Sequence, residues 1–372
     1  MMRTAQPPPE PSRSGETCAR RFAGVERNDP FTQAVRALCE RRAAAKPATN
    51  AMNTESSRRP AARPPQPSTP SSGASPSATR SGPSDARAAD AADAVELLQH
   101  EIKLPSLPSV LLELYEVAED PRSSATDMAA VVSRDPGLAA LLLRMVNSAF
   151  YGFPRRIDTV PRAVAVIGQR QLAMLATGGV VARIFGETPA ETIRLETFWR
   201  HSVGVGILAR TLARRLRLND PERHFVAGLL HDIGRLALCS VAPERVRAAL
   251  AESRRRAIPL RQAESQAAGI DHAAFGSMLL RKWNLPFSLA LAVLRHHDPT
   301  REDAREEAAV VHVADWLMKA LHPALEDEFL LPPLAEGAWE RVGLPLSDLP
   351  SIAEDVDASL AATLSALRSG AA

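Results

Sequence analysis

The chain has 372 residues, with 45 Lys and Arg against 43 Asp and Glu, 30 Pro, 3 Cys and 4% aromatic residues. It contains no run of about 18 apolar residues free of charge, so no transmembrane helix is predicted, and its first residues lack the apolar core and cleavage site of a secretory signal. Cys18, Cys39 and Cys239 are too few and too scattered for a disulfide framework; they fit a reducing compartment, and a cytoplasmic location is expected.

The prolines mark a boundary. Thirteen of the 30 lie in residues 1–95, among runs of Ser, Ala and Arg, with Phe22 and Phe31 as the only aromatic residues there. Such a segment buries too little apolar surface to offset the entropy of ordering, so residues 1–95 are expected to form a disordered arm. Charge divides at the same place: 14 basic and 9 acidic residues in 1–95 (net +5), 31 and 34 in the remainder (net −3). The basic residues of the arm are dispersed, with no aromatic residues interleaved for stacking, so nucleic acid is not an expected partner. Met52 offers an alternative start, which would leave out residues 1–51.

From Ala91 onward apolar residues recur at helical spacing. Leu107, Val110, Leu111, Leu114, Val117 and Ala118 form one stripe, and Asp127 begins a second short helix. Asp135-Pro136 is an N-cap with proline at the first helical position, opening a helix to about Ala149. Thr159 and Pro161 open another through Ile167, and Gln169 to Phe185 a further one, weakened at Gly178-Gly179. Residues 192–217 are helical, Pro221 opens a helix through Leu238, and helical patterns cover roughly 243–255, 259–268, 271–282, 287–297 and 304–321, with a closing helix at 351–368. Sustained two-residue alternation is missing, so the predicted fold is all-α: a helical lobe at 96–190, a second at 191–325 and a C-terminal extension at 326–372.

Eight of the nine histidines follow residue 200, and several stand with aspartates inside apolar helices. His201 lies in Phe-Trp-Arg-His-Ser-Val, His231-Asp232 in Gly-Leu-Leu-His-Asp-Ile-Gly-Arg-Leu, and Asp315 in Val-His-Val-Ala-Asp-Trp-Leu-Met; His272 follows Asp271 at a helix start, and His296-His297 end a helix. A carboxylate buried without a partner costs several kcal/mol or gives up its charge. A divalent cation held by imidazole and carboxylate is one solution, and Mn, Fe, Zn or Ni accepts such a mixed set. Hydrogen-bonded core residues are the plain alternative, and His296-His297 also read as a solvated helix end. Gly228 and Gly234, beside the His-Asp pair, leave room for other helices to approach closely. His224 is expected at the surface, His312 as a group holding Asp315, and His322 at a helix terminus.

The ordered set His201, Leu230-His231-Asp232-Ile233-Gly234, Asp315 resembles the His…His-Asp…Asp signature of the HD superfamily of metal-dependent phosphohydrolases. Within it the chain is similar to HDOD proteins, the HD-related output domains of bacterial signalling. The resemblance takes in Leu104-Pro105-Ser106-Leu107-Pro108, Ser133-Arg134-Asp135-Pro136-Gly137-Leu138, Arg144-Met145-Val146-Asn147-Ser148-Ala149-Phe150-Tyr151-Gly152, Glu264, Asp271-His272, Trp283-Asn284-Leu285-Pro286 and His296-His297.

The resemblance implies a regulatory module binding a protein partner and a small ligand or divalent metal (Mn, Fe, Zn, Ni or Mg). It also allows a metal-dependent phosphohydrolase, in which His201, His231, Asp232 and Asp315 hold one ion, His272 with His296 or His297 a second, and Arg235 contacts phosphate. Arg235 stands where the cyclic-dinucleotide phosphodiesterases of the superfamily have Lys, and no Gly-Tyr-Pro motif follows the His pair, so cyclic di-GMP hydrolysis is not expected.

Overall fold

The computed structural model of the chain describes residue 22 and residues 29–45, 106–148, 151–185, 192–304, 306–322 and 331–368. Among these residues there is no strand, and the elements are helices joined by short connections. One hydrophobic cluster runs through both lobes.

The first lobe contains α2 (Ser109–Glu119), α3 (Ala125–Ser133), α4 (Pro136–Val146), α5 (Val160–Ile167) and α6 (Gln169–Ile184). Helix α3 starts in a capping box: the Asp127 amide donates to Ser124 Oγ, and the Ser124 amide donates to Asp127 Oδ2 at 2.8 Å. Asp135 caps α4 by accepting from the Leu138 amide at 2.9 Å. That helix ends at Val146, three residues before the expected end. Asn147 is the cause. Its Nδ2 donates to the carbonyls of Leu143 and Ile157 at 2.7 and 2.6 Å, and its Oδ1 accepts from the Ile157 amide at 2.7 Å, which ties the following loop back onto the helix end. Helix α6 runs unbroken through Gly178-Gly179, because Leu229 and Leu141 pack where side chains would stand. It is buried from Leu172 to Val181 and packs on α2, α4 and the second lobe.

The second lobe is built on α7 (Leu195–Arg215), followed by α8 (Pro221–Leu230), α9 (Ile233–Val241), α10 (Pro243–Arg256), α11 (Leu260–Ala268), α12 (His272–Lys282), α13 (Phe287–Arg295) and α14 (Glu306–Leu321). The helix expected over Pro221 to Leu238 is two helices. The His231 ring, through Nδ1, takes the carbonyl of Gly228 at 2.8 Å, and Asp232 leaves helical geometry at φ −99°, ψ 9°. The break therefore falls on the His-Asp pair itself. Arg210 of α7 joins the lobes: its Nε donates to Glu222 Oε1 at 3.1 Å, and its guanidinium lies 4.5 Å above the Tyr151 ring.

The C-terminal extension adds α15 (Ala338–Val342) and α16 (Leu349–Arg368), the latter packed on α7 and α4. Among the described residues, the arm departs from its expected disorder. Residues Pro30–Ala45 form a helix, α1, that buries Phe31, Val35, Leu38 and Cys39. These four stand at i, i+4, i+7 and i+8, a stripe that the polar average over 95 residues conceals, and the surface they cover lies nearly 300 residues away in sequence. The remainder of residues 1–95 lies outside the described residues, apart from Phe22 and Asp29.

No single helix among the described residues is long and apolar enough to cross a membrane. The one pair that reaches the length together, α5 with α6, is bent by 115°.

Candidate metal centre

Five separate stretches of the second lobe bring their polar residues to one buried point. His201 comes from the middle of α7, His231 and Asp232 from the α8–α9 break, His272 from the first residue of α12, His296 and His297 from just past α13, and Asp315 from α14. All seven of the residues singled out in the sequence meet here. Asp232 Oδ1 is the hub, at 3.1 Å from His272 Nε2, 3.4 Å from His231 Nε2 and 3.8 Å from His296 Nε2. Asp315 Oδ1 lies 3.0 Å from His201 Nε2 and 3.5 Å from His231 Nε2.

Helix packing makes this convergence possible. A side chain at Gly228 would press on the backbone of Gly206, and one at Gly234 would overlap the His272 carbonyl and crowd Gly276. Helices α7 and α8 thus touch main chain to main chain, as do α9 and α12.

Three of the imidazoles are oriented from behind. His231 Nδ1 is bound to Gly228 O, and His296 Nδ1 to Val293 O at 2.7 Å. His272 Nδ1 donates to Glu264 Oε2 at 2.5 Å, and the same oxygen accepts the His272 amide at 3.0 Å. These bonds turn the Nε2 atoms inward, the arrangement that metal-binding histidines use. His272 and His297 meet Nε2 to Nε2 at 2.8 Å.

The charges are buried and opposed. Burial would raise the Asp232 carboxyl, but the imidazoles of His231 and His272 and the Arg235 guanidinium outweigh it and hold the group well below the usual carboxylate range. Asp315 behaves alike: burial raises it, and Lys319, His201 and His231 bring it well below. Burial lowers the His272 imidazole, yet Glu264 and Asp232 together lift it well above its ordinary value. Burial, together with repulsion from His231 and His272, pushes His296 down to about 3.

Among the buried atoms at this point, His231 Nε2, Asp232 Oδ1, His296 Nε2 and Asp315 Oδ1 make no hydrogen bond. Their mutual contacts, at 3.4 Å between His231 Nε2 and Asp232 Oδ1 and 3.5 Å between His231 Nε2 and Asp315 Oδ1, are close but make no hydrogen bond. A buried polar atom left so costs about 1–3 kcal/mol, and four such atoms facing one another are a donor set that a divalent cation can fill. Two triads have ligand atoms within 4.8 Å of one another: His201 with His231 and Asp232, and His272 with His296 and His297. The first two triad members and Asp232 are fully enclosed, whereas His297 is half-buried. The residues present fit a mixed nitrogen and oxygen site for a divalent ion.

Several expectations are corrected. His296-His297 are not a solvated helix end, because α14 and α12 cover them. His312 does not hold Asp315: its Nδ1 donates to His296 O at 2.7 Å, and its Nε2 accepts the Ala335 amide at 3.0 Å, so it fastens the His pair and the extension. His224 is buried, not at the surface, with Nδ1 bound to Asp220 O at 3.1 Å, and burial lowers its pKa. Arg235 is buried and donates to Asp232 Oδ2 at 3.2 Å. Two residues of the centre were missed as site residues. Lys319 is 1% exposed and donates to Asp315 Oδ2 at 2.9 Å; a lysine one turn after an aspartate on an apolar helix was the available signal. Glu264, buried among Leu260, Ala263 and Ala268 on α11, was the other.

The HDOD domain model matches residues 104–299, more than half of the chain. An uncharacterised protein of Treponema pallidum (strain Nichols) is 30% identical over 199 residues, a match that takes in 52% of this chain and 38% of the relative, so the chain spans well under half of that protein's length. Among solved structures, an HDOD domain protein of unknown function from Geobacter sulfurreducens superposes with a TM-score of 0.62 at 22% identity, over 76% of this chain and 98% of that one. A protein from Marinobacter aquaeolei VT8, named provisionally as a signal transduction protein, superposes at 0.59 with 20% identity, over 76% of this chain and 66% of that one. At these identities both structures speak for the fold.

Proposed function

Because the chain belongs to the HDOD domain family, we propose that it is a regulatory signalling module whose second lobe binds a divalent metal and whose helices pass that state to a protein partner. The observation that carries the reading is the set of four buried, unbonded polar atoms facing one another from the end of α13, from α14 and from the α8–α9 break. His201, His231, Asp232 and Asp315 would hold one ion, and His272, His296 and His297 a second. A bound ion would supply concentrated positive charge and Lewis acidity. The nitrogen-rich donor set favours Mn, Fe, Zn or Ni over Mg, which prefers oxygen and keeps its waters.

The regulatory part rests on how the ligands are distributed. Five stretches supply them, so a ligand there bears on how those helices sit against one another. Such a ligand acts as a signal only by binding two conformations with different affinity. The provisional name of the Marinobacter protein accords with this role.

Metal analysis of the full chain, purified without chelator, tests the centre against Asp232→Ala. One or two equivalents in the natural chain, lost in the variant, are expected; no metal in either overturns the metal reading. Hydrogen exchange of metal-free and Mn-loaded protein tests the coupling, and identical exchange across α7, α9, α12 and α14 overturns it.

A second reading, a metal-dependent phosphohydrolase, is favoured by the two triads meeting at Asp232. Arg235, the candidate phosphate contact, already serves the Asp232 carboxylate. Turnover of a nucleotide or phosphate-ester panel by fully loaded protein decides it, and none with Mn, Fe, Co or Ni removes it.

A further inference from the structure

The α1 helix packs on α14, the helix that carries Asp315, through the neighbouring Trp316 and Ala320. Phe31 stacks on Trp339 with ring centroids 4.1 Å apart and stands 5.5 Å from Trp316, and Phe22 meets Trp316 edge-on at 6.2 Å. Val35 and Leu38 continue the buried stripe. Cys39 Sγ donates to the Ala320 carbonyl at 3.4 Å, and Arg42 pairs with Asp357 of α16. Gln33, Arg36, Glu40 and Arg41 face solvent. The seat is therefore a groove with Trp316 and Ala320 of α14 on one side, Trp339 of α15 on another and the Asp357 carboxylate at its far end.

Three facts make this occupant exchangeable. A 16-residue helix stands only just above the length at which isolated helices are marginal in water, so α1 draws most of its stability from docking. Residues 46–105 stand between it and α2 in the sequence, a contour of about 200 Å, so chain length does not limit its departure. Its departure would bare two tryptophan rings beside one another, an apolar patch that favours a replacement.

We propose that the groove between α14, α15 and α16 is a docking site for an amphipathic helix of a partner protein, and that α1 is its tethered occupant, displaced when the partner binds. The chemistry of the partner is read from α1. It presents an aromatic residue to stack on Trp339, large apolar residues four and seven positions later, and a basic residue eleven positions later for Asp357. The inference does not depend on the metal reading.

A fluorescent peptide of residues 20–46, titrated into the full chain and into full-chain Val35→Asp, tests it. The variant weakens its own α1, so it should bind the peptide at least tenfold more tightly than the natural chain does, and Phe31→Ala in the peptide should abolish binding. Equal binding by both chains, or none by a variant that melts as the natural chain does, overturns the proposal. Hydrogen exchange on the unaltered chain needs no variant. Amides of 31–45 should exchange at least a hundredfold faster than those of α7, and equal protection would make α1 an integral part of the fold. A concentration-dependent dimer that Val35→Asp dissolves would show the arm exchanged between two copies and would overturn the tethered arrangement.

Discussion

Lys319 stands one helical turn beyond Asp315 and donates to its Oδ2 at 2.9 Å, with both side chains buried. Asp232 repeats the relationship, its Oδ2 accepting from Arg235 three residues on. Each aspartate thus spends one oxygen on a cation of its own helix and turns the other to the centre. The helix neighbour holds one oxygen of each carboxylate, and the other is left facing the imidazoles of the centre.

Replacing Lys319 by Met removes the charge and keeps the bulk. Breaking a buried pair from one side costs about 3–5 kcal/mol, because the other charge stays behind. Urea unfolding of metal-free Lys319→Met should show a loss of that order. With saturating Mn the loss should shrink, since the ion takes over the neutralisation of Asp315. An equal loss with and without Mn would separate Lys319 from the centre.

Glu264→Gln should weaken metal binding by about 10–100-fold, the usual penalty for removing a carboxylate behind a ligating histidine. The amide keeps the size of the side chain but not the charge that steers His272 Nδ1. Competition with a chelating dye measures the affinity, and a changed Co(II) absorption spectrum would report the altered ligand geometry. Unchanged affinity and spectrum would leave Glu264 with a structural role only.

In the first lobe, Asp135 both caps α4 and accepts from Arg183 at 3.0 Å. Asp135→Ala should cost about 1–2 kcal/mol, the scale of a lost N-cap. The ion pair with Arg183 is the main cause that lowers the Asp135 pKa in the fold. Its stabilising share is therefore fully present above the carboxyl's ordinary pKa and fades as pH falls through the lowered one. The difference between natural and variant chains should narrow below about pH 4 in denaturant titrations, and a constant gap would contradict it.

Both tyrosines resist ionisation. Burial pushes Tyr115 up to about 12, against its hydrogen bond with Thr177, and pushes Tyr151 higher still. The folded chain should show almost no tyrosinate absorbance near 295 nm at pH 10.5, whereas urea-unfolded chain shows half or more. Because the folded pKa is raised, this share of stability is complete below about pH 10 and is lost as pH rises through the folded value. Early tyrosinate absorbance in the folded chain would mean that the first lobe is looser than described.

The seven residues of the centre were legible because a polar side chain on an apolar helix is anomalous in one dimension. What joins them was not. The break at His231-Asp232 lies inside a stretch with continuous helical periodicity, and the Gly228 carbonyl that the His231 ring takes is invisible to a pattern of apolar spacing. His224 reads as exposed beside Pro221, Glu222 and Arg223, yet α8 is covered by α6, α7 and α14, so even Glu222 is buried. The arm helix shows the opposite failure. Four residues at the right spacing were outweighed by the average over 95, and their partners, Trp316 and Trp339, are nearly 300 residues away.

The paired glycines, Gly206 with Gly228 and Gly234 with Gly276, act as the jaws of a caliper. The gap across which Asp232, His231 and His272 face one another is set by backbone resting on backbone. A side chain that changes rotamer or loses a methyl group elsewhere in the lobe can alter stability, but it cannot open or close that gap. Mutational drift in the surrounding core would leave the aperture at its size, and one methyl group added at Gly234 would not.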